Sequence, residues 1–147
     1  MIREATISDV IECGKLAEEF YAARNKAGEF HSQCFIEFWG RIIESEQGVI
    51  YMREVDGSPR EAIGIIYHPN PYNGKPSASS MFWFVCDGGQ GLASGALFEH
   101  VLGVVEKRGI MEFKIQLLLD ERLIRSGSFL KSNGFEVSDM TYTKEMK

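Results

Sequence analysis

The residues best suited to chemistry form one run, Asp87-Gly88-Gly89-Gln90-Gly91-Leu92-Ala93-Ser94. It joins a strongly apolar segment to an amphipathic one. Its glycines exceed what a plain strand-to-helix turn needs. Without a Cβ, glycine lets the backbone approach a neighbouring group closely. At a helix start the first N–H groups have no partner within the helix, and the helix dipole favours negative charge. Each N–H donated to an ionised phosphate oxygen contributes on the order of 1.5–3 kcal/mol, and a diphosphate can accept several. The run is therefore expected to hold a phosphate-bearing ligand; the alternative is a turn that binds nothing.

Two common phosphate loops do not fit. No Gly-Lys-Ser or Gly-Lys-Thr follows, as a nucleoside-triphosphate loop requires. Gly89, Gly91 and Ser94 nearly match a dinucleotide fingerprint, but that fingerprint normally lies in the first strand-helix unit and several more follow it. Here it comes past the midpoint of 147 residues, with one such unit behind it.

The elements that must position the run can be read from periodicity. Ile2 to Ala5 reads as a strand. Thr6 and Asp9 resemble a capping box opening a helix whose Val10, Cys13, Ala17, Phe20 and Tyr21 share one face. A second helix is expected over Gln33 to Glu44, with Phe35, Phe38, Trp39 and Ile42 at helical spacing. Gly48 to Val55 and Ala62 to Tyr67 read as a hairpin around Asp56-Gly57-Ser58-Pro59. Pro69 to Pro76 reads as a loop. Ser79 to Cys86 reads as a central strand apolar on both faces. A helix is expected from about Leu92 to Arg108, capped by Gly109, with Ala93, Ala96, Leu97, Val101, Val104 and Val105 as its apolar stripe. Phe113 to Leu119 alternates as a strand. Asp120 can cap a helix ending at Gly134, and Phe135 to Val137 with Met140 to Glu145 read as a closing pair of strands. The pattern is that of one α/β domain over 1–147, a mixed sheet with helices on both faces.

Composition narrows the function classes. An apolar share of 44% and a charged share of 25% are those of an ordinary globular protein. The longest apolar run, Met81 to Cys86, is far short of the roughly 20 residues that a membrane span needs. The start, Met1-Ile2-Arg3-Glu4, has no signal-peptide pattern, so a cytoplasmic location is expected. A net charge of −5 disfavours nucleic acid and is compatible with a cationic small molecule or basic peptide. Cys13, Cys34 and Cys86 lie far apart, as do His31, His68 and His100, so neither a disulfide framework nor a metal site is expected.

The glycine run resembles the acetyl-CoA motif of the GNAT superfamily of N-acetyltransferases, with Gly91-Leu92-Ala93 in its Gly-x-Gly/Ala part. Trp83-Phe84-Val85 stands where that family has Val-x-Pro. Phe129-Leu130-Lys131-Ser132-Asn133-Gly134-Phe135 is similar to its Phe-Tyr-x-x-x-Gly-Phe signature. Ile2 to Asp9 resembles its usual opening, and Gly64 is typical of its third strand. The likeness runs in order along nearly the whole chain. It implies a mostly antiparallel central sheet of about six to seven strands with helices on both faces. It also implies acetyl-CoA as co-substrate, with no metal. The backbone of Met81, Phe82 and Trp83 would hold the pantetheine arm, and Gly89, Gln90, Gly91, Leu92, Ala93 and Ser94 the pyrophosphate. Acetyl would pass directly from the thioester to a primary amine of a small molecule or peptide, and homodimers are common among similar proteins.

The chain departs from that pattern at several positions. Gly88 stands at the motif's first Arg/Gln position, and Val85 at the proline. Leu130 occupies the position of the tyrosine that commonly acts as general acid, and Leu123 that of a frequent asparagine. A thiolate leaving group has a pKa of about 8.5, so solvent can protonate it. Asp87, His68 and Tyr142 are the remaining catalytic candidates. Asp87 can equally cap the loop, and His68 can equally be a solvated turn residue. His100 reads as structural. Cys86 has no neighbouring base in sequence, and this kind of transfer needs no covalent enzyme intermediate. A non-catalytic CoA-binding protein on the same fold and a nucleotide-binding module are the competing readings.

Overall fold

A computed structural model describes residues 1–24, 26–86, 95–117 and 123–146. Within these, apolar alternation sets the sheet. In β2 (Gly48–Val55), Ile50 and Met52 point to one face and Val49 and Tyr51 to the other, all buried. β3 (Ser58–Pro69) and β4 (Pro76–Val85) continue both surfaces, with Ala62, Phe82 and Phe84 on the first and Ile63, Ile65, Trp83 and Val85 on the second. With β1 (Ile2–Glu4) and β5 (Glu112–Lys114) they form a five-stranded sheet in sequence order. Neighbours are antiparallel except β4 and β5, which run parallel. β2 and β3 join through a two-residue loop. Asp56 and Gly57 both have positive φ, +52° and +79°, which matches the twist of the flanking strands.

Helices cover both faces. α1 (Val10–Ala22) buries Val10, Cys13, Leu16, Ala17 and Phe20, one stripe at helical spacing, and α2 (Ser32–Glu44) adds Trp39 beside it. Desolvation of Cys13 beneath α1 pushes its thiol pKa up to about 12. A 3-10 turn, Ile7–Asp9, leads into α1, and the Thr6 N–H donates to Asp9 Oδ2 at 2.7 Å. The Arg3 guanidinium donates to both oxygens of Asp9, at 2.7 and 3.0 Å, and holds that carboxyl well below the usual carboxylate range. On the second face α3 (Ala96–Lys107) buries Leu97, Phe98, Val101 and Val105, and α4 (Leu123–Ser132) adds Leu130.

Several expectations are corrected. The sheet has five strands among the described residues, not six or seven. Of the strand expected over Phe113 to Leu119, β5 covers 112–114 and residues 115–117 leave the ladder, while 118 and 119 lie outside the described residues. The expected closing strands are absent. Residues 135–146 have no regular structure, and Val137 and Tyr142 are 82% and 87% exposed. Short alternation cannot hold a strand without a partner edge, and β5 offers only three residues of one. Only Phe135 of this segment packs inward, against Phe98 and Phe113. α3 is capped at its start by Gly95, which adopts a left-handed φ of +62°, and the expected helix residues 92–94 lie outside the described residues. The sheet order makes β3 its middle strand, although β4 is covered on both faces as expected. Asp87, the glycine run through Ser94 and Asp120 lie outside the described residues.

Candidate functional site

The site begins at an irregularity in β4. β3 and β4 pair Gly64 with Phe82 but Ile65 with Ser80, so Met81 is an extra residue on β4. Such a bulge bends a strand and lets adjacent side chains lean to one side. Met81 and Phe82 here both line the same groove. The β4–β5 ladder ends nearby. Its last pair is Ser79 with Lys114, and beyond it the Gln116 N–H donates to the buried Ser80 Oγ at 3.0 Å instead of to a main-chain carbonyl. The two parallel strands therefore separate just before the bulge. Met81, half-exposed at 49%, stands at the opening.

The groove lies on the α1/α2 face and encloses about 390 Å³. One wall is β4, through Met81, Phe82 and Phe84. The others come from Tyr21 at the end of α1, from Glu29, Phe30 and His31 before α2, and from Cys34, Phe35, Phe38 and Trp39 on α2. The aromatic rings form a connected set. Tyr21 stacks on Phe30 at 5.4 Å, Phe35 meets Phe82 at 5.3 Å, and Phe82 stacks on Phe84 at 4.5 Å. Gly64 makes this possible. A Cβ there would collide with the Phe82 ring and come within 2.6 Å of Trp39 Cζ2. Among the described lining residues Glu29 is the only carboxylate. Burial, and after it the negative charge of Glu29, raises the pKa of the Tyr21 hydroxyl.

The sequence-derived candidates fall in different places. Met81 and Phe82 line the groove. Trp83 faces the opposite side, stacked on Phe98 at 5.6 Å, and its Nε1–H donates to Glu61 Oε2 at 2.8 Å. Glu61 is 2% exposed and also accepts from Arg53 Nε at 3.2 Å. His68 is beside the groove, not in it. One ring nitrogen lies 2.9 Å from the Oγ of Ser79, two residues before Met81, and the other 3.2 Å from the Pro69 carbonyl oxygen. That carbonyl accepts from Nδ1–H, which leaves Nε2 of the neutral ring to accept from the serine hydroxyl. Tyr142 belongs to the exposed tail rather than to a strand. Leu130 is buried in the core of the α3 face and carries no proton. His100 is exposed on α3, with its ring edge-on to Tyr51 at 5.6 Å. Cys86 is half-buried, and its Sγ–H points at the Leu16 carbonyl at 4.0 Å. Tyr21, Glu29, Phe30, His31 and Cys34 were not legible as site residues. They gather only when the end of α1 and the start of α2 meet β4.

Among the described residues no group of three or more His, Cys, Asp or Glu side chains can hold a metal ion. Nor is any helix there long and apolar enough to cross a membrane. No protein-family model matches the chain, and no curated protein matches it. Solved structures do. A possible acetyltransferase from Clostridium difficile 630 superposes with a TM-score of 0.73 at 15% identity, over 100% of this chain and 97% of that one. A ribosomal-protein-alanine N-acetyltransferase from Brucella melitensis biovar Abortus 2308 gives 0.69 at 14% identity, over 100% and 99%. An aminoglycoside antibiotic 6′-N-acetyltransferase from Acinetobacter haemolyticus gives 0.71 at 12% identity, over 100% and 98%. With its bulged β4, its parted β4 and β5 and helices on both faces, the chain has the fold of the GNAT acetyltransferase superfamily.

Proposed function

We propose that the protein is an N-acetyltransferase that moves acetyl from acetyl-CoA to a primary amine bound in the aromatic groove. One observation carries this reading: Met81 and Phe82, whose backbone the family resemblance gives to the pantetheine arm, also line the groove. Donor and acceptor would then meet at the β4 bulge, where the parting of β4 from β5 leaves room for an extended arm. The residues present fit such a donor in two respects. The strand edge beyond Ser79 has no β5 partner in the ladder, and the glycine run that follows β4 suits a diphosphate by composition.

The transfer balances simply. The ammonium gives up one proton and its nitrogen attacks the thioester carbonyl carbon. A C–N bond forms, the C–S bond breaks, and the second amine proton leaves as the amide forms. The thiolate takes a proton from solvent, since Leu130 has none to give. The imidazole of His31 lies in the groove lining and is a side-chain type able to accept the first proton, whereas His68 would receive one only by way of the Ser79 hydroxyl that its Nε2 engages.

Calorimetry with acetyl-CoA, CoA and NAD tests the donor, and thiol release over a panel of amines tests the transfer. Binding of acetyl-CoA but not NAD is expected. Gly91→Val should weaken acetyl-CoA binding 10- to 100-fold, about 1.4–2.8 kcal/mol. A silent acetyl-CoA titration would end the reading. Binding without thiol release from any amine would favour the non-catalytic alternative, which the absence of a proton at Leu130 motivates.

A further inference from the structure

We infer that the acceptor is a singly charged primary amine carried on an aromatic body, an arylalkylamine. The inference rests on the transfer reading above and names the substrate class of the same groove. Three observations converge on it. The lining is dominated by aromatic rings, and two apolar side chains, Phe38 of α2 and Met81 of β4, stay 43% and 49% exposed there, although the large side chains that follow Met81 on β4 are buried. These surfaces gain from covering by another ring. The described lining also holds one carboxylate, Glu29, next to the stacked pair Tyr21 and Phe30. A carboxylate beside aromatic faces suits one ammonium group. The volume, about 390 Å³, is at the small end of ligand sites, enough for a ring and a short chain beside the acetyl-bearing arm.

The same features count against a polyhydroxylated polyamine. Its several cations would face one carboxylate, and its hydroxyls would meet hydrocarbon where each needs a hydrogen-bond partner. They also count against a small polar peptide terminus, which would leave the ring faces uncovered. Glu29 draws the cation into the groove, the rings of α2 and β4 hold the body, and the nitrogen meets the thioester at Met81. The step is that of the transfer above: the amine nitrogen gains the acetyl carbon, sulfur leaves, and one net proton is released.

The test compares phenethylamine, propylamine, kanamycin and an alanine-start peptide as acceptors in the thiol-release assay, with phenethylamine and acetyl-CoA binding measured separately by calorimetry. Phenethylamine is expected to give the highest kcat/KM. Glu29→Gln should raise its KM about three- to fivefold with kcat little changed. Phe38→Ala should lower kcat/KM for phenethylamine about fivefold, and by clearly more than it lowers that for propylamine. Neither variant should alter acetyl-CoA affinity. A preference for kanamycin or the peptide overturns the inference, as does an unchanged KM in Glu29→Gln. If acetyl-CoA binds and phenethylamine does not, the substrate class fails while the donor reading survives. If phenethylamine binds with Glu29 dependence and acetyl-CoA does not, the transfer reading fails and the groove assignment stands.

Discussion

The two faces of β4 use aromatic side chains in opposite ways. Towards α3, Trp83 is buried against Phe98 and tied to Glu61, so its ring and its N–H are both consumed by the fold. Towards α1 and α2, Phe82 and Phe84 stack on each other but turn part of their surface to a groove that solvent can enter. Residues one position apart on one strand thus close a packed core on one side and line an open groove on the other. Apolar composition alone does not separate these roles. What separates them is whether the opposite wall is a close-packed helix or the gap between two helix ends.

The largest test of that contrast is Trp83→Ala. It removes a large buried ring and the donor to Glu61 Oε2, and should cost about 3–5 kcal/mol in denaturant unfolding. On the groove face Phe38→Ala should cost about 1 kcal/mol or less, and its effect should show in acceptor binding instead. Equal stability losses would erase the distinction. An intermediate effect is expected from Gly64→Ala, whose new methyl must displace the Phe82 or Trp39 ring. A cost of about 1–3 kcal/mol and a reshaped groove floor should appear together. The smallest effect concerns the contact that fixes the start of α1. Asp9→Asn should lower stability by about 1 kcal/mol near neutral pH, after allowing for solvent screening. The folded-state pKa of Asp9 is depressed, so its contribution is complete above the unfolded value of about 3.9 and fades as pH falls below it. The gap between Asp9→Asn and the unsubstituted protein, followed by urea unfolding, should therefore narrow below about pH 4; a constant gap would count against the ion pair.

Much of the fold was legible because local signals agreed with tertiary demands. β2 begins and ends where alternation places it, α2 extends the expected helix by a single residue, Ser32, and Gly109 and Gly134 take the positive φ that ends a helix. The failures share a physical cause. The closing strands rested on short alternation, and alternation carries no information about an available partner edge. The cap of α3 was not foreseen either: the left-handed turn at Gly95 does not announce itself in a glycine-rich stretch. The site was half legible. Gly64 and the run Met81 to Trp83 could be singled out, but not the Met81 bulge, which no glycine or proline signals. Glu29 and His31 are isolated polar residues between helices. Only the meeting of α1, α2 and β4 gives them a common target.

At the fork of the sheet a single hydroxyl stands in for a rung of the ladder, since Ser80 Oγ takes the proton that Gln116 would otherwise give to a carbonyl. The spacing of the two strands there is thereby held by one of the protein's own side chains. Alanine at position 80 would release that pin, letting the chain after β5 zip against β4 or swing clear. The exchange rate of one amide, that of Gln116, would then be a gauge of how firmly the fork is held.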